Sequence, residues 1–139
     1  MNSKFMNLAI KEAIKAYNND EIPVGCVIVC NDKVISKAYN KKNRTNNATH
    51  HAEMLAISKA CKKLNTWRLN DCDIYITLEP CNMCMGAIVE SRIKNVYYLL
   101  NSNYYETFNN NKLKINVNKL EDIYKYKEMM GNFFINKRK

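Results

Sequence analysis

At 139 residues the chain has the length of one domain, taken as residues 1–139, and can bury roughly two-thirds of the surface its unfolded form exposes. With 47% apolar residues a core of its own is expected, which excludes wholesale disorder and any need for disulfide staples. The formal net charge of +9 permits an anionic partner such as nucleic acid. Yet the excess is Lys in an Asn-rich chain, with Arg only at 44, 68, 92 and 138, a skew that compositional drift also produces. No run of about 18 apolar residues and no signal-peptide pattern is found, so a reducing compartment, the cytoplasm, is expected.

Phe5, Leu8, Ala9, Ala13 and Ala16 recur at helical spacing, and Y-N-N-D ends that pattern at residue 20. V-G-C-V-I-V-C, residues 24–30, is short, β-branched and nearly all apolar, as a buried strand requires. Asn31-Asp32 is turn chemistry, and V-I-S-K-A-Y, residues 34–39, is the returning strand of a hairpin. A polar, basic loop, N-K-K-N-R-T-N-N, follows. From Ala48 to Leu64 a second helix is predicted, with Thr49 or Asn47 as its cap. D-I-Y-I-T-L, residues 73–78, reads as a third strand that Pro80 stops, and residues 81–91 as a third helix. N-V-Y-Y-L-L, residues 95–100, reads as a fourth strand, and residues 101–112 are polar without a period. The tail from Lys119 to Asn136 has a helical pattern, with Leu120, Ile123, Tyr124 and Met130 available for a buried face. Helices and strands in such alternation predict a layered α/β domain with helices on both faces of a sheet.

Of the six cysteines, Cys26, Cys30, Cys61 and Cys72 read singly as small buried hydrophobes. Cys81 and Cys84 differ. Three apart at a helix start, they share one face, and the helix N-terminus favours their thiolates. A lone C-x-x-C is also a redox motif. The two histidines of the chain, His50 and His51, change the balance. His51-Ala52-Glu53 with Pro80-Cys81-Asn82-Met83-Cys84 fits the H-x-E and P-C-x-x-C pattern of zinc nucleobase deaminases.

His51, Cys81 and Cys84 are thus the candidate ligands of a zinc ion, and soft sulfur argues against Mg²⁺ or Ca²⁺. Three protein ligands leave a fourth tetrahedral position for water, the arrangement of a catalytic zinc. Glu53 is the candidate acid/base. Residues two apart in mid-helix point to nearly opposite sides, so His51 and Glu53 can serve one centre only if His51 lies at or before the first turn. His50, three residues from Glu53, competes on spacing alone. The pattern favours His51, and leaves His50 as a polar residue near the cleft mouth or a substrate contact.

On these residues, and on E-I-P-V-G-C-V-I-V, T-W-R-L and Y-I-T-L-E-P-C-N-M-C-M-G-A-I-V-E-S-R-I, the sequence resembles the tRNA-specific adenosine deaminases of the cytidine deaminase-like superfamily. The resemblance runs from the first helix to about residue 93, and M-M-G-N-F-F-I-N-K-R-K is similar to that family's last helix. It implies a three-layer cytidine deaminase-like fold, a mixed sheet of about five strands flanked by helices. It implies zinc as cofactor, a tRNA anticodon loop as partner, and hydrolysis of the wobble adenosine to inosine. Asn40 stands where the family holds the target nucleoside, and backbone near Ala52 and Pro80 would lie by the base edge. A homodimer is expected from the bacterial cast of S-R-I and T-W-R-L. N-N-A-T-H-H-A-E-M is closer to the eukaryotic catalytic subunit, which works in a heterodimer with a pseudo-catalytic partner.

One segment departs from the family. Its members follow the fourth strand with a segment of the type G-A-x-D-x-K-x-G, whereas residues 99–105 read L-L-N-S-N-Y-Y, with neither Gly nor Asp. Tyr104, Tyr105 and Phe108 there are candidates to stack on splayed bases or to pack back on their own domain. Two rival functions keep the same zinc residues: deamination of a free base or nucleoside of the guanine or cytosine type, and a non-catalytic zinc-binding subunit.

Overall fold

The computed structural model describes residues 2–102 and 115–137. Tyr104, Tyr105 and Phe108 lie outside these residues. The first helix, α1 (Asn2–Asn18), leads into β1 (Gly25–Cys30) and β2 (Lys33–Tyr39), an antiparallel hairpin. Its turn is Asn31-Asp32, both at positive φ (51° and 65°), the conformation that a two-residue hairpin turn of matching twist demands. α2 (Ala52–Leu64), β3 (Cys72–Leu78), α3 (Asn82–Glu90), β4 (Asn95–Leu100), β5 (Asn116–Lys119) and a last helix, α4 (Tyr126–Lys137), complete the described chain.

The strands form one mixed sheet in the order β2-β1-β3-β4-β5. β1 is antiparallel to both neighbours, while β3, β4 and β5 run parallel. Side chains alternate across the sheet, and each face feeds its own core. Cys26 and Ile28 of β1 and Ile74 and Ile76 of β3 pack against Ala52, Ala56 and Ala60 of α2 and Met85 and Ile88 of α3. Val27, Val29 and Tyr75 face the other way, onto Phe5, Met6, Ala9, Ile10 and Ala13 of α1 and Tyr126 of α4. Three layers result, as the sequence predicted. α1 comes so close that a Cβ on Gly25 would sit 1.9 Å from the Ala9 carbonyl oxygen, so only glycine fits there.

Two expectations need correction. α2 begins at Ala52 rather than Ala48, and neither Thr49 nor Asn47 caps it; His51 holds the cap position with no side-chain hydrogen bond. The Asn47 carboxamide instead accepts the Thr49 N–H and hydroxyl at 2.9 and 2.7 Å, inside the preceding loop. The tail is also not one helix from Lys119. Residues 116–119 form an edge strand, and α4 starts at Tyr126, where Asp122 accepts the Tyr126 and Lys127 N–H groups at 2.9 and 3.0 Å. Ile123 is 65% exposed; the deeply buried side chains of this helix are Tyr126 and Phe133. The Tyr126 hydroxyl donates to the Pro23 carbonyl at 2.7 Å, which ties α4 to the start of β1. No described helix is long and apolar enough to cross a membrane.

Candidate active site

β2 and β3 end at the same side of the sheet, and α2 and α3 both start there. His51 and Cys81 are the N-cap residues of these two helices, each extended (φ −75°, ψ 155° and φ −72°, ψ 174°) and each without a side-chain cap bond. Their backbones do the capping, since the His51 carbonyl accepts from Leu55 and the Cys81 carbonyl from Met85. Both side chains are therefore released from the usual capping task and point away. The extended backbone at His51 also solves the spacing problem, because Glu53 can turn inward from the first helical turn beside it.

His51, Cys81 and Cys84 meet. Their ligand atoms all lie within 4.8 Å of one another, and His51 Nδ1 is 3.7 Å from Cys81 Sγ and 3.5 Å from Cys84 Sγ. Tetrahedral zinc with Zn–S near 2.3 Å and Zn–N near 2.0–2.1 Å implies S···N separations of about 3.5–3.6 Å. The donor set and its spacing fit that ion. The Cys84 thiol hydrogen-bonded to Cys81 pulls the Cys81 pKa down to about 4, and His51 adds to this; the same pairing, with burial, drives Cys84 far up. Zinc would be held by deprotonated thiols, and the lowered Cys81 is the more readily deprotonated of the two. The contact with Cys81 raises the pKa of His51.

Glu53 is 4% exposed, and burial pushes its carboxyl up to about 7. It shares a cavity of about 160 Å³ with His51, Ala52 and Cys81. An engineered cavity of roughly 150 Å³ takes up benzene, so an aromatic ring system has room here. Asn40 and Lys42 contribute from the loop before α2, and Met130 and Phe134 from α4. Pro80 is buried but is not among the lining residues, although Glu79 and Cys81 on either side are. Asn40 is held in place at both ends of its amide: Oδ1 accepts the Lys42 N–H at 3.2 Å, and Nδ2 points to the Ile22 carbonyl at 3.5 Å. Among the described residues no other partner takes the second amide proton or the second lone pair, which stay available to a ligand. His50 is turned away from the ligand cluster, its ring between Thr45 Oγ1 (2.6 Å) and Asn47 Nδ2 (3.1 Å).

Two carboxylates escaped the sequence reading. Glu21, 1% exposed, accepts the N–H groups of Asn43 and Arg44 at 3.0 and 2.5 Å. Glu79, 8% exposed, accepts the Ser102 N–H at 3.0 Å, while Asn101 bridges it at 3.5 Å to the Tyr98 hydroxyl at 2.9 Å. Each fastens a loop that borders the cavity. The available signal was an acid embedded beside apolar residues and shortly before a proline, in E-I-P-V and T-L-E-P.

A mixed sheet with helices on both faces and a His-Cys-Cys cluster at two helix starts defines a zinc-binding α/β protein. Residues 1–100 match the family described as the cytidine and deoxycytidylate deaminase zinc-binding region, and the chain belongs to that family. The tRNA-specific adenosine deaminase of Bacillus subtilis (strain 168) is 48% identical over 94 residues, 68% of this chain and 58% of that protein. A solved structure from studies of A-to-I editing by tRNA:A34 deaminases at the wobble position is 42% identical, with a TM-score of 0.70 over 72% of this chain and 77% of that one. The guanine deaminase of Bacillus subtilis is 40% identical, with a TM-score of 0.68 over 71% and 64%. The chain thus spans less than two-thirds of the length of the B. subtilis tRNA-specific relative.

Proposed function

We propose that the chain is a single zinc-dependent deaminase domain that hydrolyses adenosine to inosine at the anticodon wobble position of tRNA. The observation that carries the deaminase reading is the buried Glu53 sharing one cavity with His51 and Cys81 of the His51–Cys81–Cys84 cluster. Likeness to tRNA-specific adenosine deaminases supports the choice of substrate. His51, Cys81 and Cys84 would hold zinc, which when bound acidifies a water toward a pKa of ~7.

Glu53 takes a proton from the attacking water and delivers it to purine N1 as the C6–O bond forms. It then carries the water's second proton to the C6 amine, which leaves as ammonia when the C6–N bond breaks. Adenosine and water become inosine and ammonia. Burial favours the protonated form of the Glu53 carboxyl, and a positioned carboxyl of this kind can both accept and return a proton in one turnover. Met130 and Phe134 offer the base apolar contact and exclude water, while Asn40 and the backbone near Ala52 face its polar edge. Pro80, outside the lining, contributes by turning the chain from β3 into Cys81.

A cytoplasmic homodimer completes this reading, with a pseudo-catalytic partner as the alternative. The 40% identity to a guanine deaminase favours a second reading, a free-base deaminase with the same residues. The zinc-holding but non-catalytic subunit fits less well, because among the described residues the cluster has three members, and a closed structural site takes four. Incubating zinc-loaded protein with an anticodon stem-loop and, separately, with free guanine, cytosine and cytidine decides the matter. Inosine in the RNA supports the proposal; turnover of a free base alone overturns it.

A further inference from the structure

The loop of residues 40–50 between β2 and α2 is polar and largely exposed, yet braced throughout. The Lys41 N–H donates to the His50 carbonyl at 3.0 Å, closing the loop at its base. The Lys41 carbonyl accepts both the N–H and the hydroxyl of Thr45, at 3.0 and 2.7 Å, and the Lys42 carbonyl accepts the Asn47 N–H at 3.0 Å. Glu21 reaches up from the core to the Asn43 and Arg44 N–H groups. A loop so tied does not have to be ordered by a ligand, which removes a cost that binding would otherwise carry.

Three cations stand on this loop. Lys42 lines the cavity. Lys41 Nζ lies 4.8 Å from the centroid of the Tyr39 ring, and Arg44 Nη1 donates to the Tyr39 hydroxyl at 3.2 Å, so that one aromatic side chain holds both. Among the described residues none of the three has a carboxylate within ion-pairing distance. Glu21 touches the loop, but its oxygens are engaged by backbone N–H groups from beneath. Positive charge on a braced loop whose Lys42 lines a base-sized cavity, with Lys41 and Arg44 beside it in the same loop, matches one kind of ligand, a base that arrives with phosphates attached.

Resting on the proposed function, we infer that Lys41, Lys42 and Arg44 form a preorganised phosphate-binding rim for single-stranded RNA. Lys42 takes a phosphate flanking the nucleotide whose base enters the cavity, and Lys41 and Arg44 take phosphates further along the strand. The rim makes the substrate a base within a strand rather than a free one. Tyr39 and Glu21 are positioning residues for it.

The test uses zinc-loaded protein carrying Glu53→Gln, so that RNA is bound without turnover. The affinity for a fluorescent anticodon stem-loop is measured by anisotropy between about 50 and 200 mM salt, the range over which phosphate contacts are expressed. Lys42→Ala should weaken binding about tenfold and flatten the log–log salt slope by about 0.7, the value of one single-strand phosphate contact. Lys41→Ala with Arg44→Ala should flatten it by about twice that. Lys42→Arg should restore most of the affinity, and Lys62→Ala with Lys63→Ala, at the far end of α2, should change it less than about twofold. Inosine formation by the unmodified protein is followed in parallel. If RNA is deaminated but the rim variants bind it with unchanged affinity and slope, the rim is overturned and the function stands. If the rim and control pairs weaken binding equally, the effect is net charge and the rim is again overturned. RNA that is neither bound nor deaminated overturns the function and the rim together.

Discussion

The two ligand-bearing helix starts are reached by opposite routes. β3 runs into α3 through Glu79 and Pro80 alone, and the cap residue Cys81 follows at once. β2 reaches α2 only after residues 40–51, a loop held by its own hydrogen bonds and by Glu21. The short route is fixed by covalent restraint, since Pro80 sets its own φ and biases the residue before it to extended backbone. The long route is fixed by polar groups whose partners lie far apart in sequence, such as Glu21 with Asn43 and Arg44. Both deliver an N-cap side chain to one point. They should therefore fail differently.

The largest expected effect concerns the carboxylate that the long route delivers. Glu53→Gln keeps the shape and leaves His51, Cys81 and Cys84 untouched, so zinc measured by elemental analysis should remain near one per chain. Turnover should fall at least about a thousandfold, toward the upper range for losing a general acid/base. Retained turnover would remove Glu53 from the mechanism. Loss of zinc would make it part of the metal site instead.

Next come the two loop-fastening carboxylates, Glu21 and Glu79, which set the routes directly against each other. Glu21→Ala strands two backbone N–H groups beneath the long loop and should cost about 3 kcal/mol, or roughly 10 °C in Tm. Glu79→Ala frees one well-placed N–H, at Ser102, and should cost about 1 kcal/mol. Glu79→Gln keeps an acceptor oxygen and should cost less still. Thermal unfolding of the zinc-loaded variants checks the order. A Glu79→Ala loss equal to that of Glu21→Ala would erase the distinction between the routes.

Much of this was readable beforehand. The hairpin, β3, β4 and α3 follow from β-branched runs, an Asn-Asp turn and a proline, all local. The candidate metal residues follow from the H-x-E and P-C-x-x-C pattern, and the extended backbone at His51 is demanded by the distance to Glu53. What escaped was decided at a distance. Asn47 and Thr49 are good caps by type, but their groups are consumed within the loop, so α2 starts at Ala52. Leu120, Ile123 and Tyr124 mimic a helical face, whereas N-V-N-K is a strand only because β4 offers it a parallel edge. Lys42, Met130 and Phe134 line one cavity from loop and last helix, a juxtaposition without any local signature.

The smallest expected effect belongs to His50, the residue that spacing alone left in competition with His51. Its ring joins Thr45 to Asn47, with Asn47 Nδ2 donating to Nε2, which leaves Nδ1–H to donate to the Thr45 hydroxyl; that hydroxyl in turn donates to the Lys41 carbonyl. His50→Ala removes one brace among several in a loop open to water, so about 1 kcal/mol of stability should be lost. Zinc content should not change, and RNA affinity should weaken only a few-fold through the loosened rim. A variant that lost its zinc would move His50 into the metal site and reverse the assignment of the two histidines. One that kept zinc and stability but lost all RNA binding would make His50 a direct contact, not a brace. The hydrogen bonds to Thr45 and Asn47 favour the brace, because they occupy both ring nitrogens.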